Sequence, residues 1–323
     1  MARIGASWIS RRGLLQGTAA GLVFSSALSV QAAAGEEPIP YTAGTEHPKH
    51  KAPAHACDCH FHIYNARFSA APNASLKPPD ALASEYLRLR QRLGVERGII
   101  VTPSTYGTDN SCTLDAMAQL GDTVRGVAVV DTSVTDAELK RLNDRGVRGI
   151  RFNIARAGAT TVEMIEPLAR RIADFGWHVQ VHMAADGIAE NATLFGRLPV
   201  PVVFDHLGRI PQPDGMKHPA FAVINRLLGE GRAWVKISSL YQDTKIGPPS
   251  YSDVGQVARA YIEAAPERVL WGSDWPHPSK GAYGTPDDAL LLDLAAEWAG
   301  SDEIWHRILV GNPVTLYGFP KTA

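Results

Sequence analysis

From Ala54 onward the chain alternates short apolar or β-branched runs with longer segments whose apolar residues recur at three- and four-residue spacing. Residues two apart share one face of a strand, and residues three or four apart share one face of a helix, so the alternation predicts strands followed by amphipathic helices. The predicted strands are Ala54–His62, Arg97–Thr102, Arg125–Val130, Gly149–Asn153, His178–His182, Pro201–His206, Ala233–Ser238 and Val269–Asp274. Most are apolar on both faces, as strands of a parallel sheet buried under helices must be. Ile165, Leu168, Ala169, Ile172 and Phe175 form the clearest helical stripe, and Val254, Val257, Ala258, Tyr261 and Ile262 repeat it before the eighth strand. Eight strand–helix pairs over residues 54–323 predict one α/β domain, a (β/α)8 TIM barrel, because doubly wound open sheets usually have fewer strands. No internal repeat, low-complexity tract or linker divides that span.

The residues ahead of this pattern read differently. Arg11-Arg12 precede an uncharged apolar run from Gly17 to Val30, and Ala32-Ala33-Ala34 follow. The run is too short to cross a bilayer, and with its paired arginines it resembles a bacterial twin-arginine export signal cleaved near Gly35. Residues 1–34 are therefore expected to be removed by the twin-arginine export machinery, leaving a periplasmic protein with no stable membrane association. Residues 35–53 lack periodicity and read as a leader or arm. A net charge of −1 offers no basic field for nucleic acid, which leaves a small molecule as the expected partner. Three cysteines, Cys57, Cys59 and Cys112, are an odd number and too few for a disulfide framework, and without a C-x-x-C pair they suggest buried thiols rather than a thiolate zinc site.

The chemistry gathers where the predicted strands end. Strand one ends in Asp58-Cys59-His60-Phe61-His62, strand five in His182, strand six in Asp205-His206 and strand eight in Ser273-Asp274. In a TIM barrel these ends meet at one mouth, and His60 and His62, two apart, face the same side. A single H-x-H pair is weak evidence, but its combination with His182, His206 and Asp274 at further strand ends marks a site. Arg151, at the end of strand four, adds a permanent cation suited to a carboxylate or sulfonate and hostile to a second metal ion.

This arrangement resembles the amidohydrolase superfamily of barrel enzymes. More narrowly, Thr102-Pro103-Ser104-x-Tyr106-Gly107-x-Asp109-Asn110, Gly149-Ile150-Arg151-Phe152-Asn153, Asp205-His206-Leu207-Gly208-Arg209 and Gly272-Ser273-Asp274-Trp275-Pro276-His277-Pro278 resemble its 2-pyrone-4,6-dicarboxylate lactonase branch, and the tail Leu309–Gly318 matches the same superfamily. The resemblance implies opening of an acidic lactone without a bound metal, the alternative being one Zn²⁺ on His60, His62, His182 and Asp274. On this reading Asp274 activates water, and His60, His62 and His182 donate hydrogen bonds to the developing oxyanion. Arg151 and Arg209 bind the acidic group, with Ser104, Tyr106, Asn110, Asn153 and His206 as further substrate contacts. Lys236 and His277 are weaker candidates. The branch carries a second basic residue soon after the strand-four arginine; here Arg156 is displaced by one and Ala157 takes its place, which argues against the dicarboxylated pyrone itself. Competing readings are a mononuclear metal-dependent decarboxylase or hydrolase of the same superfamily, an acidic sugar-lactone isomerase, and a non-catalytic binding protein.

Overall fold

A computed structural model describes residues 38–155, 158–279 and 281–321. The export signal, the first residues of the arm and the Arg156–Ala157 comparison lie outside the described residues. Eight parallel strands pair in chain order: β1 (Cys57–Phe61), β2 (Arg97–Val101), β3 (Val124–Ala128), β4 (Val147–Asn153), β5 (His178–His182), β6 (Val202–Phe204), β7 (Ala233–Ile237) and β8 (Val269–Trp271). Just beyond β8 the ring closes onto β1, where Asp274 N donates to His60 O at 2.7 Å and His62 N donates to Trp275 O at 2.8 Å. Gly272 permits that approach, because a Cβ there would lie 2.6 Å from His60 Cβ. The result is the predicted (β/α)8 barrel.

The covering helices are α1 (Ala83–Leu93), α2 (Ser111–Leu120), α3 (Asp136–Asp144), α4 (Ile165–Ile172), α5 (Ala185–Glu190), α6 (Ala192–Arg197), α7 (Pro219–Gly229), α8 (Ser252–Ala264) and α9 (Asp288–Ala299). In α4 the predicted stripe Ile165, Leu168, Ala169 and Ile172 is buried, worth on the order of 2 kcal/mol for each large side chain. Phe175 falls past the helix end, in a tighter turn that Gly176 closes in the left-handed conformation. Inside the barrel, Cys57, Cys59, Ile99, Val101, Val127, Val203, Trp234 and Leu270 pack with Tyr317 and Phe319 of the C-terminal tail. All three cysteines are buried and unpaired.

Six strands stop short of their predicted ends: β1 at Phe61, β2 at Val101, β3 at Ala128, β6 at Phe204, β7 at Ile237 and β8 at Trp271. His206 and Asp274 take up left-handed backbone, with φ of 54° and 62°, and a residue in that conformation leaves the ladder. The arm residues from Pro38 onward lie over α1 and α9. Buried Arg92 of α1 donates to Glu46 O (2.8 Å), Ala43 O (3.0 Å) and Asp287 Oδ1 (2.7 Å), and Asp293 of α9 accepts from the Lys49 and His50 amides.

Candidate active site

Asp274 stands at the centre of the barrel mouth. Its Oδ2 accepts two hydrogen bonds, from Ser239 Oγ at 2.7 Å and Tyr241 Oη at 2.6 Å. Its Oδ1 faces three imidazoles: His62 Nε2 at 3.4 Å, His60 Nε2 at 3.5 Å and His206 Nε2 at 4.0 Å. The carboxylate is thus divided, one oxygen anchored and one turned to the histidines. A cleft of about 310 Å³ opens over them, lined in part by His62, Ser104, Arg151, Asn153, His182 and His206. Two larger grooves, of about 800 and 810 Å³, lie beside Trp234 and along the arm, away from this cluster.

Hydrogen-bond partners assign the protons. His62 Nδ1 lies 2.7 Å from Val101 O; a carbonyl can only accept, so Nδ1 carries the proton and Nε2 keeps its lone pair. His62 therefore presents an acceptor toward Asp274 where a donor was expected. His60 Nδ1 lies 3.3 Å from the Lys236 ammonium, a donor, and 3.2 Å from Asp205 Oδ1, an acceptor, and its Nε2 stands 3.3 Å from the His62 lone pair. His182 Nε2 faces Arg209 NH1 at 3.1 Å and must accept, leaving its proton on Nδ1, a buried atom with no hydrogen-bond partner among the described residues. Asn153 Oδ1 is likewise buried and unpartnered among them.

Behind this layer lies a buried charge row. Lys236 Nζ donates to Gln180 Oε1 at 2.7 Å and stands 3.7 Å from Asp205 Oδ1, while Asp205 Oδ2 accepts from Arg151 Nε (3.1 Å) and Gln180 Nε2 (3.2 Å). Asp205 thereby faces two bases, Arg151 and Lys236, and this pairing is how the row survives burial. Asp58 joins β1 to β8 rather than facing the mouth, accepting from the His60 and Ser273 amides and from the Ser273 and Tyr86 hydroxyls.

By spacing alone, His60 Nε2, His62 Nε2 and Asp274 Oδ1 would suit one metal ion. The Lys236 ammonium, 3.3 Å from His60 Nδ1, sets a cation behind that place and opposes a metal ion's charge there. His182 stands outside this group, its Nε2 occupied by Arg209.

Other predicted residues are placed around the mouth rather than in it. Tyr106 Oη accepts from Asn65 N at 2.9 Å and pins the loop after β1. Asn110 bonds Thr102, Thr108 and both backbone groups of Val129, so its amide is spent on the loop. Arg209 forks onto Asp243 at 2.7 and 2.9 Å, and what remains of it orients His182. The residues not anticipated are Ser239, Tyr241, Gln180, Asp288 and the ion-pairing role of Asp205. The Ser238-Ser239-Leu240-Tyr241 run, hydroxyl-rich and directly after strand seven, is the signal that could have pointed to two of them.

Burial governs the titration of the cluster. Burial pushes His206 down to about 4 and His178 to about 3, and pushes His60 and His182 well down too. Asp58 goes the other way, raised by burial to about 6. A histidine depressed on folding contributes stability that is complete above the ordinary histidine value near 6.5 and is lost as pH falls toward its folded value. Between pH 6.5 and 4 each of His178 and His206 costs roughly 3 kcal/mol, while Asp58 returns roughly 3 kcal/mol between pH 6 and 4. The histidines outnumber the aspartate. The urea midpoint of unfolding is expected to fall steadily from pH 7 to pH 4.5; a flat profile over that range would contradict these assignments.

A barrel whose strand ends converge on a polarised carboxylate, histidines and a cleft is the framework of a hydrolytic enzyme. The sequence pattern of the Amidohydrolase family matches residues 57–319, and this chain belongs to that family. It is 36% identical, over 86% of its length and 95% of the relative's, to a 2-pyrone-4,6-dicarboxylate hydrolase of Comamonas testosteroni. It is 35% identical to a 4-sulfomuconolactone hydrolase of Rhizobium radiobacter, covering 82% and 91% of the two chains. Among solved structures, a ligand-free protein of Agrobacterium tumefaciens superposes with a TM-score of 0.81 at 28% identity, covering 87% of this chain and 99% of that one.

Proposed function

We propose that this enzyme opens a lactone bearing an acidic substituent, using water activated by Asp274 and no resident metal. The observation that carries the reading is the facing pair at the cleft, Asp274 Oδ1 and His62 Nε2, two acceptors 3.4 Å apart. A water molecule can give one hydrogen to each, which aims its oxygen lone pair at a carbonyl in the cleft. Asp274 takes the proton as the C–O bond forms, and the His182 Nδ1–H donates to the carbonyl oxygen as it becomes anionic. Collapse of the tetrahedral adduct breaks the ring C–O bond, and Asp274 returns its proton to the departing ring oxygen. Arg151, held by Asp205 on the cleft wall, pairs with the acidic substituent. Asn153 and Ser104, on the same wall, orient the ring. The names of the relatives, both hydrolases of acid-bearing rings, support the substrate class.

The test is a panel of acid-bearing lactones and their neutral esters or parent rings, with products identified by NMR and metal content measured on the same preparation. Ring-opened hydroxy acids or their tautomers are expected. Isomerised lactone as the sole product would replace this reading with acyl migration. Arg151→Lys is expected to lower kcat/KM on acidic lactones ten- to a hundredfold, because Lys cannot both fork onto a carboxylate and hold Asp205. Neutral lactones should lose much less; equal losses would remove Arg151 from substrate recognition.

A further inference from the structure

Behind Asp274 a buried line of side chains runs away from the cleft. Tyr241 Oη, which gives its proton to Asp274 Oδ2 at 2.6 Å, lies 3.1 Å from His277 Nδ1, and His277 Nε2 lies 3.0 Å from Asp288 Oδ2. With the tyrosine proton committed to Asp274, Oη can only accept, so His277 Nδ1–H is the donor, and Nε2–H donates to the Asp288 carboxylate, which makes the ring the cationic half of a buried ion pair. Tyr241, His277 and Asp288 are all buried, and none of them lines the cleft. Asp288 sits in the first turn of α9, where the helix end favours its charge, and its amide donates to Thr42 Oγ1 of the arm at 3.2 Å.

Resting on the assignment of Asp274 as the water-activating group, we infer that Tyr241, His277 and Asp288 form a positioning chain that fixes which oxygen of Asp274 reacts. Two donors on Oδ2 stop the carboxylate from rotating about its last bond, so Oδ1 alone meets the water. The backbone is constrained to the same end: Ser239, Asp274 and His277 have φ of 54°, 62° and 58°, a conformation that costs non-glycine residues about 1–3 kcal/mol each. Strain of that size persists only where surrounding bonds over-determine the geometry, and here Tyr241 joins Asp274 to His277 while Ser239 holds the same Asp274 oxygen. Ordinary core packing requires none of it, since a phenylalanine would fill the Tyr241 site without committing a buried hydroxyl.

The chain predicts an asymmetry between two amide replacements of His277. Asparagine places its amide near Nδ1 and keeps the donor to Tyr241; glutamine places it near Nε2 and keeps only the contact with Asp288. Tyr241→Phe and His277→Gln are each expected to lower kcat about 10- to 100-fold with KM within about twofold, the range typical of residues that orient a catalytic group, while His277→Asn restores most of the loss. In the Tyr241→Phe background His277→Gln should cost nothing further. An equal loss in both backgrounds would show that His277 does not act through Tyr241 and would overturn the inference. A second arm needs no substrate: the slowly exchanging low-field ring N–H proton of His277, identified by its absence in His277→Asn, should shift in both Tyr241→Phe and Asp274→Asn. If Asp274→Asn leaves that resonance in place, the chain does not reach Asp274 and the inference fails. If no lactone is opened by the native protein, the lactone reading falls, and the resonance still decides the chain.

Discussion

Asp274→Asn is expected to lower kcat roughly a thousandfold while leaving the fold and the binding of an acidic ligand intact, a loss within the range for removing a general base. The geometry makes the replacement mild in every other respect. The asparagine carbonyl can occupy the Oδ2 place and accept from Ser239 Oγ and Tyr241 Oη, and its amide then points at the His62 Nε2 lone pair, to which it can donate. Every buried polar atom keeps a partner, so the variant should unfold near the native midpoint. What disappears is the acceptor that receives the water proton: the amide has no basicity, and it also caps His62, the second acceptor for that water. The measurement is kcat on the best acidic lactone beside calorimetric binding of its ring-opened product. Activity within tenfold of the native protein would show that another group takes the proton. Loss of product binding along with turnover would show that Asp274 serves the ligand rather than the water.

The parts of this site that could be read from the sequence are those set by strand periodicity. His60 and His62 lie two apart at the end of β1, and their rings stand 4.9 Å apart on one side, as a strand requires. Arg151 and His182 were placed by the same rule, and the eight strands were found because parallel strands buried on both faces are apolar throughout. What lay beyond reach depends on loop backbone and on partners distant in the chain. Arg209 reads as a free cation until Asp243, 34 residues later, folds back onto it. Asn110 reads as a ligand contact until Val129 claims both ends of its amide. Tyr241 reaches Asp274 only because Ser239 and Asp274 adopt positive φ, which no local rule assigns to serine or aspartate in a chain with glycines nearby. The tautomer of His62 was also hidden, since it follows from the Val101 carbonyl facing its Nδ1, and so was the meeting of the Lys236 ammonium with the Asp205 carboxylate at His60 Nδ1.

That last point carries the second large effect. Lys236→Met is expected to make the site hold zinc far more tightly. Methionine fills the volume of the lysine stem without its charge, so the variant loses the donor on His60 Nδ1 and the cation beside Asp205. With the ammonium gone, the His60 proton is held on Nδ1, 3.2 Å from Asp205 Oδ1, where it offsets the uncompensated carboxylate. His60 Nε2 then presents a lone pair beside those of His62 Nε2 and Asp274 Oδ1, at mutual separations of 3.3, 3.5 and 3.4 Å. Zinc bonds of about 2.0–2.1 Å at tetrahedral angles place neighbouring ligands about 3.3 Å apart, so the three atoms already have the required spacing. Removing one member of a buried charge row costs about 3–5 kcal/mol, and the variant should unfold earlier than the native protein by that measure. Zinc should then raise the variant's melting temperature in proportion to the ion's excess over its dissociation constant, and leave the native protein unmoved. After gel filtration the variant is expected to hold about one zinc per chain and the native protein almost none. A native protein that holds stoichiometric zinc would refute the metal-free assignment; a folded variant that stays free of zinc would show that something other than the Lys236 ammonium keeps the ion out.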